Sequence, residues 1–359
     1  MKLKRLLSSI LVLALLVGCQ GVKNTVQKQT ETDAATMNSF DDSYYKMIDL
    51  GSSELRDSFY TDFGNTSDFK NIGRGLQVLS TKYFDTSKYY MSEGQYLKRD
   101  QKDQLLKRDD KGTYKYTLQP AKEESIEGIK GPVMVQNIQE QDYYIKSGNS
   151  YELRGLSIAV IIDPTGGQEG TTLSDKTIEN YGKQCIEKLY KYIREAKEFE
   201  KIRDLPILIA VYRETNAATS MNDGCYILKS YCQKGLGDIQ TVSYKTVIFS
   251  STEANNIDKT TASEFDVIKS NLKDASTEAA GLVGIAQYMN NEIQSMKIEA
   301  NLNVKTYTEL LYLTSLIADN IDTRFSSDFN INVLVKSQDQ LEAIIVKEKG
   351  SNAKTTILE

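Results

Sequence analysis

Leu156-Ser157-Ile158-Ala159-Val160-Ile161-Ile162 is the strongest apolar strand signal in the chain, and the fold turns on how it connects to the next elements. A continuous apolar run of this length, closed by a Gly-rich loop, reads as a strand. The loop is Asp163-Pro164-Thr165-Gly166-Gly167-Gln168-Glu169-Gly170. Beyond it the spacing predicts a helix over 174–200, with Ile178, Tyr181, Cys185, Leu189, Tyr192, Ile193, Ala196 and Phe199 on one side. Pro206 then opens a second apolar strand over 207–212. Strand, helix and strand in that order make one crossover unit.

Working outward toward the C-terminus, strands are expected over 225–231 and 242–249 and a helix over 263–275. Strands over 283–289 and 296–304, a helix over 306–321, and a closing pair over 329–335 and 341–346 come after them. Several neighbours are joined by short loops, which favours antiparallel pairing. The expected class is therefore α+β, with mixed, largely antiparallel sheets and packed helices. No residue-level repeat is visible, so duplication of the two halves stays open.

Toward the N-terminus the signals are less regular. Tyr44-Tyr45-Lys46-Met47-Ile48 suggests a short strand and Gly51-Ser52-Ser53 a turn. Ser67 or Asp68 would cap a helix running to about residue 83, with Ile72, Leu76, Leu79 and Tyr83 on one face. Residues 85–97 look hairpin-like, ahead of a charged helix to about 108, and 109–131 form a polar insertion. Residues 20–42 are polar with almost no aliphatic side chains, and read as a flexible tether.

The first twenty residues carry a different message. Lys2, Lys4 and Arg5 form a cationic start, and the apolar run after them ends Leu16-Val17-Gly18-Cys19. That run falls short of the roughly 20 residues a spanning helix needs. It has the form of an export signal, and its ending is similar to a bacterial lipobox. On this reading cleavage falls between Gly18 and Cys19, and Cys19 carries lipid. The chain then sits at the extracytoplasmic face of the cell membrane, its partners being that membrane, a lipoprotein signal peptidase and a diacylglyceryl transferase. An ordinary secretory signal with a chance Cys is the alternative.

Removing Lys2, Lys4 and Arg5 leaves 41 basic against 49 acidic side chains, a net charge of −8. That balance argues against nucleic acid, whose binding depends on clustered Lys and Arg. It also argues against broad electrostatic adhesion to anionic lipid, so attachment rests on acyl chains, which supply ~0.8 kcal/mol per buried CH₂. His is absent. No Ser–His or Cys–His nucleophile pair, imidazole base or His-ligated zinc is available. Besides Cys19 the chain has Cys185, Cys225 and Cys232, without CxxC spacing, and free thiols are expected for all three.

The 163–170 loop fails the phosphate-loop test, because Gly170 is followed by Thr171 with no Lys, and the Gly-x-Gly-x-x-Gly spacing is missing. It reads as a surface turn. Asp41-Asp42, Asp109-Asp110 and Glu123-Glu124 read as solvated surface. Glycoside hydrolysis needs two acids at a defined gap across a cleft. The 22 tyrosines, against no Trp, either fill core edges or form a binding surface.

Glu140-Gln141-Asp142-Tyr143-Tyr144 resembles a segment of the CamS sex-pheromone lipoprotein family of Gram-positive bacteria. Arg56, Tyr89, Glu93-Gly94-Gln95-Tyr96-Leu97, Gly155-Leu156-Ser157-Ile158, Tyr181-Gly182-Lys183-Gln184 and Leu205-Pro206-Ile207 agree in order. The resemblance covers about 44–346, is looser after about 224 and departs most near 111–130. It implies release of a short hydrophobic peptide from the end of the signal, sensed by enterococcal cells carrying a responsive plasmid. Here that peptide is Leu11, Val12, Leu13, Ala14, Leu15, Leu16, Val17 and Gly18, uncharged and ending in a small residue. The resemblance assigns no activity to the retained domain.

The resulting expectation is a lipid-anchored protein with no catalysis, metal or cofactor. It divides into a signal peptide (1–18), a tether (19–42), an N-terminal α+β region (43–150) and a C-terminal one (151–359), the last two allowed to be one domain. The rivals are an envelope module binding a wall polymer, peptide or protein, and a His-free carboxylate hydrolase. One cleft gathering Glu140, Asp142, Tyr143 and the strand end near Asp163 would favour a site.

Overall fold

The 156–162 run is apolar throughout because both faces of its strand are covered. Leu156, Ile158, Val160 and Ile162 enter one core and Ala159 and Ile161 another. The computed structural model describes residues 31–32, 42–64, 66, 68–108, 114–216, 224–276 and 281–358. Residues 1–18, Cys19 and most of the expected tether lie outside them.

In the N-terminal half the strands are β1 (Glu31–Thr32), β2 (Lys46–Met47), β3 (Tyr90–Glu93), the small pair β4 (Ser125–Ile126) and β5 (Ile129–Lys130), β6 (Val135–Ser147), β7 (Ser150–Ile162), β8 (Ile207–Arg213), β9 (Cys225–Cys232) and β10 (Gln240–Ile248). Its helices are α1 (Arg56–Phe63), α2 (Asp68–Ser80), α3 (Arg99–Leu106) and α4 (Asp175–Glu195). The remainder contributes α5 (Thr252–Ile257), α6 (Lys259–Ala275), β11 (Gly281–Met289), β12 (Glu292–Leu302), α7 (Tyr307–Arg324), β13 (Asn330–Ser337), β14 (Gln340–Lys347) and β15 (Lys354–Ile357). The fold is α+β.

One sheet runs β15-β14-β13-β12-β11-β10-β9-β8-β7-β6-β3-β2, with β1 also on β7. Pairing is antiparallel except at β2/β3, β7/β8 and β12/β13. The expected crossover unit is β7-α4-β8. Ser174 caps α4 by accepting from the Thr177 N–H, and the helix stops at Ala196, where the backbone turns extended; the 197–199 turn beyond it is a separate 3₁₀ helix. Residue 150 begins β7, just past the two-residue turn of the β6–β7 hairpin, so the sheet continues across that position.

The topology shows what residue identities hid. Hairpin, crossover helix, parallel strand and two antiparallel strands occur as β6-β7-α4-β8-β9-β10 and again as β11-β12-α7-β13-β14-β15. The first unit has helices on both faces, α4 on one and α1 with α2 on the other. The second has α6 and α7 on one face only.

Two local expectations are corrected. Residues 85–97 do not form a hairpin: Asp85 closes a turn by accepting from the Ser87 N–H, and the single strand β3 pairs with β6 and β2. The helix expected to reach 83 ends at Ser80. Strand β6 and helix α1 were not foreseen.

Candidate functional site

Along β6 the side chains alternate. Ile138 faces the α4 core, as do Glu140 and Asp142, whereas Gln141 and Tyr143 face α2. Beside β6 the chain leaves β3 at Gly94 and crosses over the two acids. Glu140 Oε2 accepts from the N–H groups of Tyr96 (3.2 Å) and Leu97 (2.8 Å), and Asp142 Oδ2 from that of Gln95 (2.9 Å). Glu140 is 8% exposed and Asp142 is fully buried. Burial raises the Glu140 carboxyl above the usual carboxylate range, and the backbone donors oppose this only in part.

The rest of the Glu140–Tyr144 motif is equally engaged. Gln141 Nε2 donates to the Gly73 carbonyl at 2.8 Å. The Tyr143 ring stacks on Phe84 with centroids 4.4 Å apart, and its hydroxyl meets Ser157 Oγ at 3.0 Å. A Cβ on Gly94 would lie 2.4 Å from Glu140 Cβ, so only glycine lets the loop lie this close. The motif is a buried junction between β3, β6 and α2.

Next to it lies a cleft of about 850 Å³, within the range of small-ligand sites. Its walls are α1, α2, the 44–47 segment and residues 138–141 of β6. Tyr44, Tyr45, Phe59, Tyr60 and Phe69 give it an aromatic lining, with Tyr60 61% and Phe69 40% exposed at the rim. Arg56 makes a two-pronged contact with Glu93, Nε at 2.9 Å and Nη2 at 2.6 Å from Oε1. The Arg74 guanidinium lies 3.9 Å from the Tyr44 ring centre and donates to Gln77 Oε1.

The expected gathering is therefore partial. Glu140 and Gln141 line this cleft, but Asp142, Tyr143 and Asp163 do not. Asp163 follows the end of β7, where Ile162 pairs with Val135, while Glu140 pairs with Ile158. At ~3.4 Å per residue that separates them by about 17 Å. The acids are neighbours on one strand rather than partners across a gap, so they lack the spacing for glycoside chemistry. Lys102 Nζ donates to Ser58 Oγ at 2.7 Å, but that hydroxyl already donates to the Leu55 carbonyl, and neither residue lines the cleft. Among the described residues no group of three or more acids or cysteines is placed to hold a metal.

Cys185, Cys225 and Cys232 are free thiols. Burial pushes Cys185 up to about 12. The 163–170 loop is a turn in which Asp163 accepts from the N–H groups of Thr165 and Gly167. Glu123 and Glu124 are exposed, while Asp109-Asp110 and Asp41 lie outside the described residues. Reading the sequence missed the Arg56–Glu93 pair and the Tyr60–Phe69 rim. The cluster Phe59-Tyr60, Phe63 and Phe69 was the available signal, but it sits among polar residues without clear periodicity.

Residues 51–353 match the family model described as CamS sex pheromone cAM373 precursor. The fold is similar to that of a sex pheromone precursor from Lactobacillus salivarius, at 21% identity and TM-score 0.77, covering 91% of this chain and 99% of that one. It is also similar to the C-terminal domain of the sex pheromone staph-cAM373 precursor from Staphylococcus aureus, at 21% identity and TM-score 0.66, covering 83% and 98%. No curated protein matches. A family model spanning most of the chain, on a fold shared with these structures, leads to one conclusion: the chain belongs to the CamS sex pheromone precursor family.

Proposed function

We propose that the protein is a lipid-anchored precursor at the extracytoplasmic face of the membrane, and that its signal supplies a peptide signal for conjugation. The observation that carries this is the uncharged run Leu11-Val12-Leu13-Ala14-Leu15-Leu16-Val17-Gly18 placed directly before Cys19, in a chain of the sex pheromone precursor family. Cleavage before Cys19 leaves that cysteine as the N-terminus, where acyl chains hold the protein. Among the described residues no helix is long and apolar enough to cross a membrane, and a lipid anchor needs none. Cys19→Ala should abolish incorporation of labelled fatty acid; persistent labelling sinks the anchor. Synthetic 11–18 peptide should induce aggregation of a plasmid-bearing responder, and silence in every responder sinks the signalling role.

A second reading concerns the retained domain. The aromatic cleft of about 850 Å³ supports a binding module.

A further inference from the structure

The cleft has a charge pattern as well as an apolar floor. Helix α2 faces it with Phe69, Lys70, Gly73, Arg74 and Gln77. Lys70 and Arg74 therefore stand one helical turn apart on the same wall, and like charges at that spacing repel. Among the described residues neither forms an ion pair. Lys70 has no hydrogen-bond partner. Arg74 donates to Gln77 Oε1 at 2.9 Å, reaches Ser43 at 3.4 Å and lies over the Tyr44 ring, all of them neutral.

The other charges in the wall are accounted for. Arg56 and Glu93 neutralise each other. Asp57 sits in the first turn of α1, where Leu55 offers no side-chain cap, so the free N–H groups of that turn offset its charge. Glu140 is buried, its Oε2 taken up by the Tyr96 and Leu97 N–H groups. The solvent-facing wall thus carries Arg56, Lys70 and Arg74 against Asp57 and Glu93, an excess of one positive charge. That excess matches a monoanion, whereas a dianion would overshoot it beside Asp57. Below the charges, Tyr45, Met47, Phe59, Met91 and Ile138 form an apolar floor. Peptide amides laid against that floor would lose water without gaining partners. An aliphatic chain loses nothing there, and about 850 Å³ suits one small molecule. We infer, resting on the binding-module reading, that the cleft holds a single-chain aliphatic carboxylate, its head between Lys70 and Arg74 and its chain on the floor. The retained domain would then carry one free fatty acid per chain.

The test compares a charged and a neutral probe of equal length. Decanoate titrated into the full chain should saturate at one per chain, bind about tenfold more tightly than 1-decanol and weaken as salt rises. Lys70→Gln, at an exposed position with no partner to lose, should remove most of that preference and leave decanol binding unchanged. Gly73→Leu should weaken both probes by filling the cleft, since an added Cβ meets nothing nearer than Gln139 Nε2 at 3.6 Å. Equal affinity for the two probes, or a preference that survives Lys70→Gln, overturns the inference and leaves the binding module standing. Binding of neither probe removes both. Binding untouched by Gly73→Leu overturns the inference by placing the ligand elsewhere on the chain. Tighter binding of decyl phosphate or of N-acetylated trileucine than of decanoate also overturns it, assigning the cleft to phosphates or to peptide C-termini.

Discussion

Glu140 and Asp142 occupy neighbouring same-face positions of a strand beneath three backbone N–H groups that donate to them. The raised Glu140 carboxyl means that the native state keeps a proton the unfolded chain gives up near its ordinary value of 4.5. Its contribution to stability is whole below that pH and falls as pH rises through the folded value. Glu140→Gln, whose amide can donate to Asp142 and accept from the loop, should melt higher than wild type at pH 8, the gap closing toward pH 4. Glu140→Ala strands the Tyr96 and Leu97 donors and should cost about 2–4 kcal/mol in urea unfolding. Glu214 behaves similarly. Burial first, then Asp163, Asp68 and Asp62, raise it to about 8. Glu214→Gln should therefore flatten the pH dependence of melting between about 4.5 and 8, and an unchanged profile would refute this.

At the scale of elements, the crossover β7-α4-β8 was legible because its apolar residues follow helix and strand periods. β6 was not, although Asn137, Gln141 and Asp142 are as buried as its apolar residues. Its polar side chains are held by hydrogen bonds instead of packing as hydrophobes, Asp142 to loop backbone, Gln141 to the Gly73 carbonyl of α2 and Asn137 to Asp62 of α1, so periodicity had nothing to register. Helix α1 is short and mostly polar, and only Phe59 and Phe63 reach the core. The family motifs around Gly155 and Gly182 have physical reasons that spacing alone does not reveal. Gly155 lies under the Phe84 ring, where an added Cβ would come within 2.2 Å, and Gly182 lies against Val211 and Leu228. Gly155→Ala should cost about 1–3 kcal/mol by forcing the ring aside. Phe84→Leu in the same chain should recover part of that loss, and strict additivity would count against the contact.

At the scale of the molecule, the repeated topology divides the protein into two units that interlock at their joint, Val247 of β10 entering the second core and Met289 of β11 packing against the first. They meet where β10 pairs with β11, and the Asn71–Gln287 hydrogen bond crosses nearby. Urea unfolding should show two transitions. Ile298→Ala, deep in the second core, should move one of them by about 2–5 kcal/mol and leave the other in place. A single transition that shifts as a whole would mean that the joint couples the units fully. The strand order also puts β2, near the beginning of the described body, at one edge of the sheet and β15, near its end, at the other. Once the two-pair contact of β1 with β7 is released, a pull between the two ends of the chain is passed from strand to strand, with the hydrogen-bond ladders carrying tension in series. Such an arrangement bears only what its weakest rung bears. Two residue pairs join β2 to β3, four join β3 to β6, β9 to β10 and β14 to β15, five join β10 to β11 and twelve join β6 to β7. Under load β2 should leave β3 first, at the N-terminal edge of the sheet, while the hairpin beside the cleft holds.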